Sequence, residues 1–409
     1  MKIHSNRRVA VTGIGVVTPS GIGVDAFWGN LFEAASDDSI RRVEGFDPRR
    51  WMTHKAAKNS DLASQFAIAA ATEALRDAGF LLEGAPPELA ETDHASLVGA
   101  DSDRAAVSMG TGIGGVQSLE FQMGVRRDRG DRLVSPHTVP MTMPNAAAAA
   151  ISIRFGLRGS ASTIATACAA GTDAIAAGAR MVASGVADLV VAGGTDSSLT
   201  PTCIAGFANM RALSKTGISR PFDRDRDGLC ASEACGILVL EPLENAMARG
   251  ARIYMTIEGA ASTSDAHHVT APAPHGLGAE RCMRLALDDA QILPRDVAHV
   301  NAHGTSTGLN DAAESEAIRR VFGDADPIVT SIKGVTGHSF GAAGAVEAVA
   351  VALSMRDGVI PPTIGLLNVD PDVDLNLATT ATPWEPTPVL SNSFGFGGHN
   401  GSLVFAPVR

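Results

Sequence analysis

The stretch from Ser160 to Gly194 constrains this chain most. The β-branched pair Thr163-Ile164 leads into Thr166-Ala167-Cys168, and an Ala-rich run then continues to Ser184, broken only by Gly171 and Gly178. Gly185 supplies a helix stop. Leu189-Val-Val-Ala192 reads as a short buried strand. A helix made of such small residues between two strands must lie close on a sheet, which is an α/β arrangement. The same pattern sets Cys168 where a strand gives way to a helix. Unpaired N–H groups and the positive end of the helix dipole favour a thiolate there. The competing reading is an ordinary buried cysteine packed as a small hydrophobe.

The rest of the chain repeats this grammar. Strands are expected at 8–12, 105–110 and 235–240, with helices at 25–33, 61–78 and 144–153. Residues 38–59 are charged and irregular, with Pro48, and read as surface structure. Around Arg249-Gly250 the pattern begins again. Strands at 253–260, 297–302, 328–332, 388–392 and 402–405 enclose helices at 278–290, 311–321 and 341–355. Both halves alternate strand and helix and carry a late small-residue helix, as a duplicated unit would. The expected division is 1–250 and 251–409, with no Pro- or Ser-rich linker between independent domains.

Composition narrows the function classes. Hydrophobic residues make up 45% of the 409 and charged residues 19%, so the chain is globular rather than disordered. Aromatics at 4% argue against a stacking platform for nucleic acid. The net charge of −11 disfavours phosphate backbones and anionic membranes. Cysteines 168, 203, 230, 235 and 282 have neither disulfide nor metal spacing, so no metal is expected. Apolar runs are short and no signal-like segment follows the first residues, so a cytoplasmic protein is expected.

Four turns carry the chemistry. Gly110-Thr-Gly112-Ile-Gly-Gly115 follows a strand and satisfies G-x-G-x-x-G, but no acidic residue closes a following strand at the usual offset. A tight turn is the plainer reading, with a dinucleotide oxidoreductase as the alternative. Val300-Asn-Ala-His303-Gly-Thr305-Ser-Thr307, Ser331-Ile-Lys333-Gly-Val-Thr-Gly-His338 and Asn392-Ser-Phe394-Gly-Phe396-Gly-Gly398-His399 each end a predicted strand. In open α/β sheets that edge is where ligands gather. One histidine at such a turn is more often structural. Two of them beside a helix-start cysteine favour a reactive site.

Together these motifs resemble the β-ketoacyl-acyl carrier protein synthases, closest to the synthase II group, over nearly the whole chain. The resemblance implies a thiolase-like α/β fold: two duplicated βαβαβαββ halves layered α-β-α-β-α. It implies an acyltransferase that needs no cofactor. Cys168 would carry an acyl thioester. His303 and His338 would stabilise the enolate left when malonyl-carrier protein loses carbon dioxide. The N–H groups of Cys168 and Phe396 would hold the later oxyanion, and Phe396 would also gate the nucleophile. Lys333, paired with Glu347, would order the His338 loop; a surface ion pair of little worth is the alternative. Thr305 and Thr307 match contacts to the pantetheine arm, and Thr270 lies where the family touches its phosphate end. Ile113 and Phe340 match the acyl tunnel, and Phe394 is a further substrate contact in the third motif. Arg132 and Arg211 match positions that meet the acidic acyl carrier protein.

The resemblance also implies a dimer, either a homodimer or a pair with a chain-length-factor-like subunit. Thiolases usually carry a second catalytic cysteine in a C-terminal Cys-x-Gly turn, and no cysteine here lies beyond 282. Chain-length factors lack the nucleophile that this chain retains. Leu133, where a second basic residue is common, and a short 50–65 segment depart from housekeeping synthases. With His399, they leave open a type II polyketide ketosynthase.

Overall fold

The computed structural model describes residues 7–33, 36–82 and 97–408. Ten strands carry the fold: β1 (Val9–Thr18), β2 (Ala105–Gly110), β3 (Ala161–Ile164), β4 (Leu189–Asp196), β5 (Ala234–Pro242), β6 (Met255–Ser264), β7 (His299–Asn301), β8 (Ile328–Thr330), β9 (Val389–Gly395) and β10 (His399–Ala406). They hydrogen-bond in the order β8-β7-β9-β10-β6-β1-β5-β4-β2-β3. Read outward from the centre, each half therefore places its first strand, then its fifth, fourth, second and third. Directions repeat too. β2 is parallel to β3 and β4, and β5 is antiparallel to β4 and β1. β7 is parallel to β8 and β9, and β10 is antiparallel to β9 and β6. The halves join where Val9–Val11 of β1 pair with Met255–Ile257 of β6.

The main helices are α1 (Leu62–Asp77), α2 (Val116–Arg129), α3 (Ala170–Ala183), α4 (Pro201–Asn209), α5 (Leu277–Ala290), α6 (Gly308–Phe322) and α7 (Ala343–Asp357). Strand alternation sorts the side chains into layers. Val190 and Ala192 of β4 and Leu238 and Leu240 of β5 face a central core, which Leu403 and Phe405 of β10 enter from the other half. Leu189, Val191, Ile237 and Val239 face an outer core with α1, and Val404 faces another with α5 and α6. α3 and α7 fill the centre. Every residue from Ala343 to Met355 is buried, as a helix covered on all sides requires. The order is thus α-β-α-β-α, as the resemblance implied.

The glycine pair near the N-terminus serves this packing. A Cβ on Gly13 would lie 2.2 Å from the Ala74 carbonyl oxygen, and one on Gly15 2.0 Å from that of Ala70. Both glycines let α1 sit directly on β1. Asp61 caps α1 by accepting from Ala63 N at 3.0 Å.

Two of these main helices escaped the sequence reading. α2 buries only Ser118 and α4 buries no residue, so neither has an apolar stripe to announce it. The reading of 38–59 as surface structure holds for most of the segment but is corrected at Arg41. Ile40 and Arg41 pair in parallel with Ala231 and Ser232, and Arg41 is buried. Among the described residues no helix is long and apolar enough to cross a membrane.

Candidate active site

The duplicated topology places the predicted site residues at matching corners. Cys168 follows β3 and His338 follows β8, each the third strand of its half. Gly112 and Ile113 follow β2, and His303 follows β7, the second strands. Asp196 ends β4, and Phe396 follows β9, the fourth strands. These strands are parallel within each half, so their C-terminal ends share one edge.

There a cavity of about 560 Å³ opens. Cys168, His303, His338 and Phe396 line it, with Thr305, Thr307, Thr270, Ile113, Phe340, Phe394 and Arg211. The glycine run 110–115 is a wall of this cavity through Gly112 and Ile113. Ala167, Arg211 and Phe340 all carry positive φ, at 50°, 56° and 48°. Such strain in non-glycine residues persists where surrounding structure enforces it, often at working sites. Lys333 and Glu347 lie behind the lining. Arg132 is exposed in a short turn at 131–133, outside the cavity.

Cys168 sits in a single turn, Ala167–Ala169, that leads into α3. Gly395 lets β9 pass close by, because a Cβ there would lie 2.9 Å from Cys168 N. The thiolate expected at this helix start is not the resting form. Burial pushes the Cys168 thiol up to about 11, outweighing the lowering by the Phe396 N–H, the Lys333 charge and its own N–H.

His338 Nε2 lies 3.2 Å from Cys168 Sγ. His338 Nδ1 is buried without a partner among the described residues. A proton on Nδ1 would be an orphaned donor, so the proton belongs on Nε2, facing the sulfur. Burial and the Lys333 charge hold the His338 pKa well below the imidazole range, so the ring is neutral. The backbone of His338 is pinned from both sides: its N–H donates to Cys230 O at 2.7 Å and its carbonyl accepts from Ser232 N at 2.9 Å.

His303 is held differently. Lys333 Nζ donates to His303 O at 2.6 Å, to His303 Nδ1 at 3.4 Å and to Glu347 Oε1. A donor at Nδ1 makes that nitrogen the acceptor, so His303 carries its proton on Nε2. Burial, with the Lys333 charge and His338, keeps this ring neutral too. The two imidazoles stand edge to face with centroids 5.2 Å apart. Lys333 and Glu347 are both buried, which rules out the surface-pair alternative. Burial raises the Glu347 carboxyl to about 7 despite the lysine.

Some supports were missed in the sequence. Glu314 of α6 accepts from His303 N at 2.7 Å and Gly304 N at 2.8 Å, and burial raises it to about 7. Asp311, one turn earlier, accepts from Thr305 N at 3.0 Å. Asp196 accepts from Gly112 N at 2.9 Å and Gly341 N at 3.2 Å, tying the cavity wall to the segment after His338. Phe207 of α4 stacks on Phe340, with centroids 4.8 Å apart and planes 10° from parallel. The three carboxylates could have been suspected from acids inside otherwise apolar or small-residue surroundings. Phe207 left no such signal.

Thr305 and Thr307 share a hydroxyl hydrogen bond of 2.9 Å at the cavity wall. Thr270 is at the mouth, its N–H donating to His268 Nδ1 at 3.1 Å. Near Arg132, Arg126 pairs with Asp131 at 2.9 Å and Arg127 with Asp128 at 2.7 Å, so these arginines are partly neutralised.

Comparison with known proteins agrees with this geometry. Residues 33–246 match the model "Beta-ketoacyl synthase, N-terminal domain", and residues 254–367 match "Beta-ketoacyl synthase, C-terminal domain". A 3-oxoacyl-[acyl-carrier-protein] synthase 2 of Synechocystis is 40% identical, covering 98% of each chain. Among solved structures, the ishigamide ketosynthase/chain length factor superposes with a TM-score of 0.88 at 34% identity, covering 99% of this chain and 100% of that one. A type II PKS ketosynthase bound to the hexaketide, in complex with its acyl-carrier protein, gives 0.86 at 31%, with coverages of 99% and 100%. The chain belongs to the beta-ketoacyl synthase family and is a condensing enzyme of the acyltransferase type.

Proposed function

We propose that this enzyme joins an acyl group held on Cys168 to malonyl-acyl carrier protein, with loss of carbon dioxide, in fatty-acid or polyketide chain elongation. The observation that carries the reading is the meeting of Cys168, His303 and His338 around one cavity.

The reaction divides in two. Cys168 sulfur attacks the thioester of an acyl-carrier protein. The S–C bond to the carrier breaks, and the carrier thiol leaves with the cysteine's proton. Malonyl-carrier protein then enters. Its carboxylate leaves as carbon dioxide, and the electron pair passes to the thioester as an enolate. Nε2–H of His303 and of His338 donate to the enolate oxygen, where charge develops; one such donor is worth about 3 kcal/mol of barrier. The enolate carbon attacks the acyl-Cys168 carbonyl, and the N–H groups of Cys168 and Phe396 hold the resulting oxyanion. Collapse expels the cysteine sulfur, which takes up a proton from water to return to the thiol, and leaves a β-ketoacyl-carrier protein two carbons longer. In this scheme Lys333 touches no substrate. It holds the tautomer of His303.

Thr305, Thr307 and Thr270 would follow the pantetheine arm to the mouth. Ile113, Phe340 and Phe394 would meet the acyl group or its approach. Arg211 at the mouth and the exposed Arg132 would meet the acidic carrier protein, where charge serves encounter more than affinity. We also place the boundary between the halves near residue 250 and the enzyme in the cytoplasm. A dimer is favoured by exposed Phe121, Met123 and Val139 and by the open edge strand β3. Its partner is a second copy or a chain-length-factor-like subunit, as in the ishigamide pair.

Intact-mass measurement after mixing with acyl-carrier proteins tests the reading. One acyl adduct at Cys168 is expected, and it should vanish in Cys168→Ala. Labelling elsewhere, or none, would remove the mechanism.

A further inference from the structure

Arg41 is buried in a part of the chain far from the cavity lining, yet it reaches the turn that carries His338. Its Nη1 donates to Gly334 O and Val335 O, both at 2.8 Å. These are carbonyls of the single helical turn Lys333–Thr336, and Gly337 and His338 follow directly. The guanidinium is anchored by Nη2 to Ser36 O at 2.9 Å and by Nε to Asp38 O at 3.2 Å.

The backbone completes the frame. Arg41 pairs with Ser232, whose N–H donates to the His338 carbonyl. Cys230 accepts from His338 N at 2.7 Å, and Ala231 N donates to Ser39 O at 2.8 Å. His338 is therefore held by 230–232, and 230–232 by 39–41. Arg41 closes the ring by binding the carbonyl end of the turn before His338. Carbonyls at a helix C-terminus lack internal partners and are stabilised by a cation. A planar five-donor fork satisfies two of them and keeps three donors for its anchors, whereas an ammonium has three donors in all.

We propose that Arg41 is a positioning residue for His338, fixing the Lys333–His338 turn so that Nε2–H points at the enolate oxygen. The inference rests on the assignment of His338 to the decarboxylation step. It goes beyond that assignment by naming the residue, from the opposite half of the chain, that sets the ring's place.

The test separates the half-reactions in the full-length protein. Acyl transfer from acyl-carrier protein to Cys168 is followed by intact mass. Carbon dioxide release from malonyl-carrier protein is followed on the acylated enzyme. Wild type, Arg41→Ala, Arg41→Lys and His338→Ala are compared, each checked for cooperative melting. Arg41→Ala should transfer acyl groups within about twofold of wild type but release carbon dioxide about 100-fold more slowly, the scale of a misplacement of about 1 Å. Added guanidinium should restore part of the loss. Arg41→Lys, the variant to rely on if Arg41→Ala does not fold, should lose about tenfold on the same step alone. Decarboxylation within twofold of wild type in Arg41→Lys and in folded Arg41→Ala would overturn the proposal. So would equal loss of both half-reactions. His338→Ala must itself lose carbon dioxide release. If it does not, the assignment of His338 has failed, and that failure is seen independently of the arginine variants.

Discussion

Lys333 Nζ binds His303 twice, at its carbonyl oxygen (2.6 Å) and at Nδ1 (3.4 Å). The lysine thus fixes both where the histidine stands and which ring nitrogen carries the proton. Replacing Lys333 by Met removes the donor to Nδ1 and frees the tautomer. Carbon dioxide release from malonyl-carrier protein should fall about 100-fold, while acylation of Cys168 persists. A single-turnover assay of each half-reaction checks this.

The same variant separates stability from chemistry. Lys333→Met leaves Glu347 buried without its cation, at a cost of about 3–5 kcal/mol. Lys333→Met with Glu347→Leu should recover most of that loss, because an apolar pair of similar volume replaces a buried ion pair well. It should recover none of the decarboxylation. Denaturant melts beside the turnover assay give both answers. Activity regained with stability would show that the lysine is only structural.

Cys168 should alkylate as a thiol with a high pKa. Its inactivation rate with iodoacetamide should climb with pH through 9, since burial raises the group to about 11. A plateau reached near neutrality would mean that the helix start dominates after all.

Acid should weaken the fold through its neutral buried histidines. His299 is buried with both ring nitrogens unpartnered among the described residues, and burial lowers its pKa to about 3. A histidine lowered in the folded state contributes stability that is fully present above the unfolded value near 6.5 and is lost as pH falls below it. The slope is about 1.4 kcal/mol per pH unit for each such group. Glu314 and Glu347, both raised to about 7, act oppositely between 7 and their unfolded range near 4.5. A difference measurement isolates His299. Between pH 6.5 and 4, His299→Leu should lose less stability than wild type by about that slope.

Phe207 should limit the acyl chain. It stacks on Phe340 at the cavity wall, so Phe207→Ala opens space beside the ring. The longest acyl group accepted on Cys168 should increase, as read from intact mass across a series of acyl-carrier proteins. An unchanged series would place the chain elsewhere.

Legibility followed the physics of each segment. Strands and the apolar-faced α1 announced themselves by periodicity, and α7 by its unbroken run of small and apolar residues, to within a few residues. The candidate histidines were legible because each ends a strand inside a glycine-rich motif, and Cys168 because it stands among small residues where a strand gives way to a helix. Arg41 was misread because a charged stretch looks solvated until its guanidinium is seen to meet backbone carbonyls from residues almost 300 positions away. α2 and α4 were invisible for want of an apolar stripe. The thiol state of Cys168 depends on depth, which neighbours in sequence do not report.

The central helices α3 and α7 carry a further consequence. Each is wrapped by the other and by sheet residues from both halves, so neither half has an inner surface fit for water. Polypeptides cut between the repeats and made separately should clump, whereas the same two pieces made side by side in one cell should find each other and regain turnover. The proposed bond-forming centre is in that sense a property of the seam, built only when both repeats have closed over it.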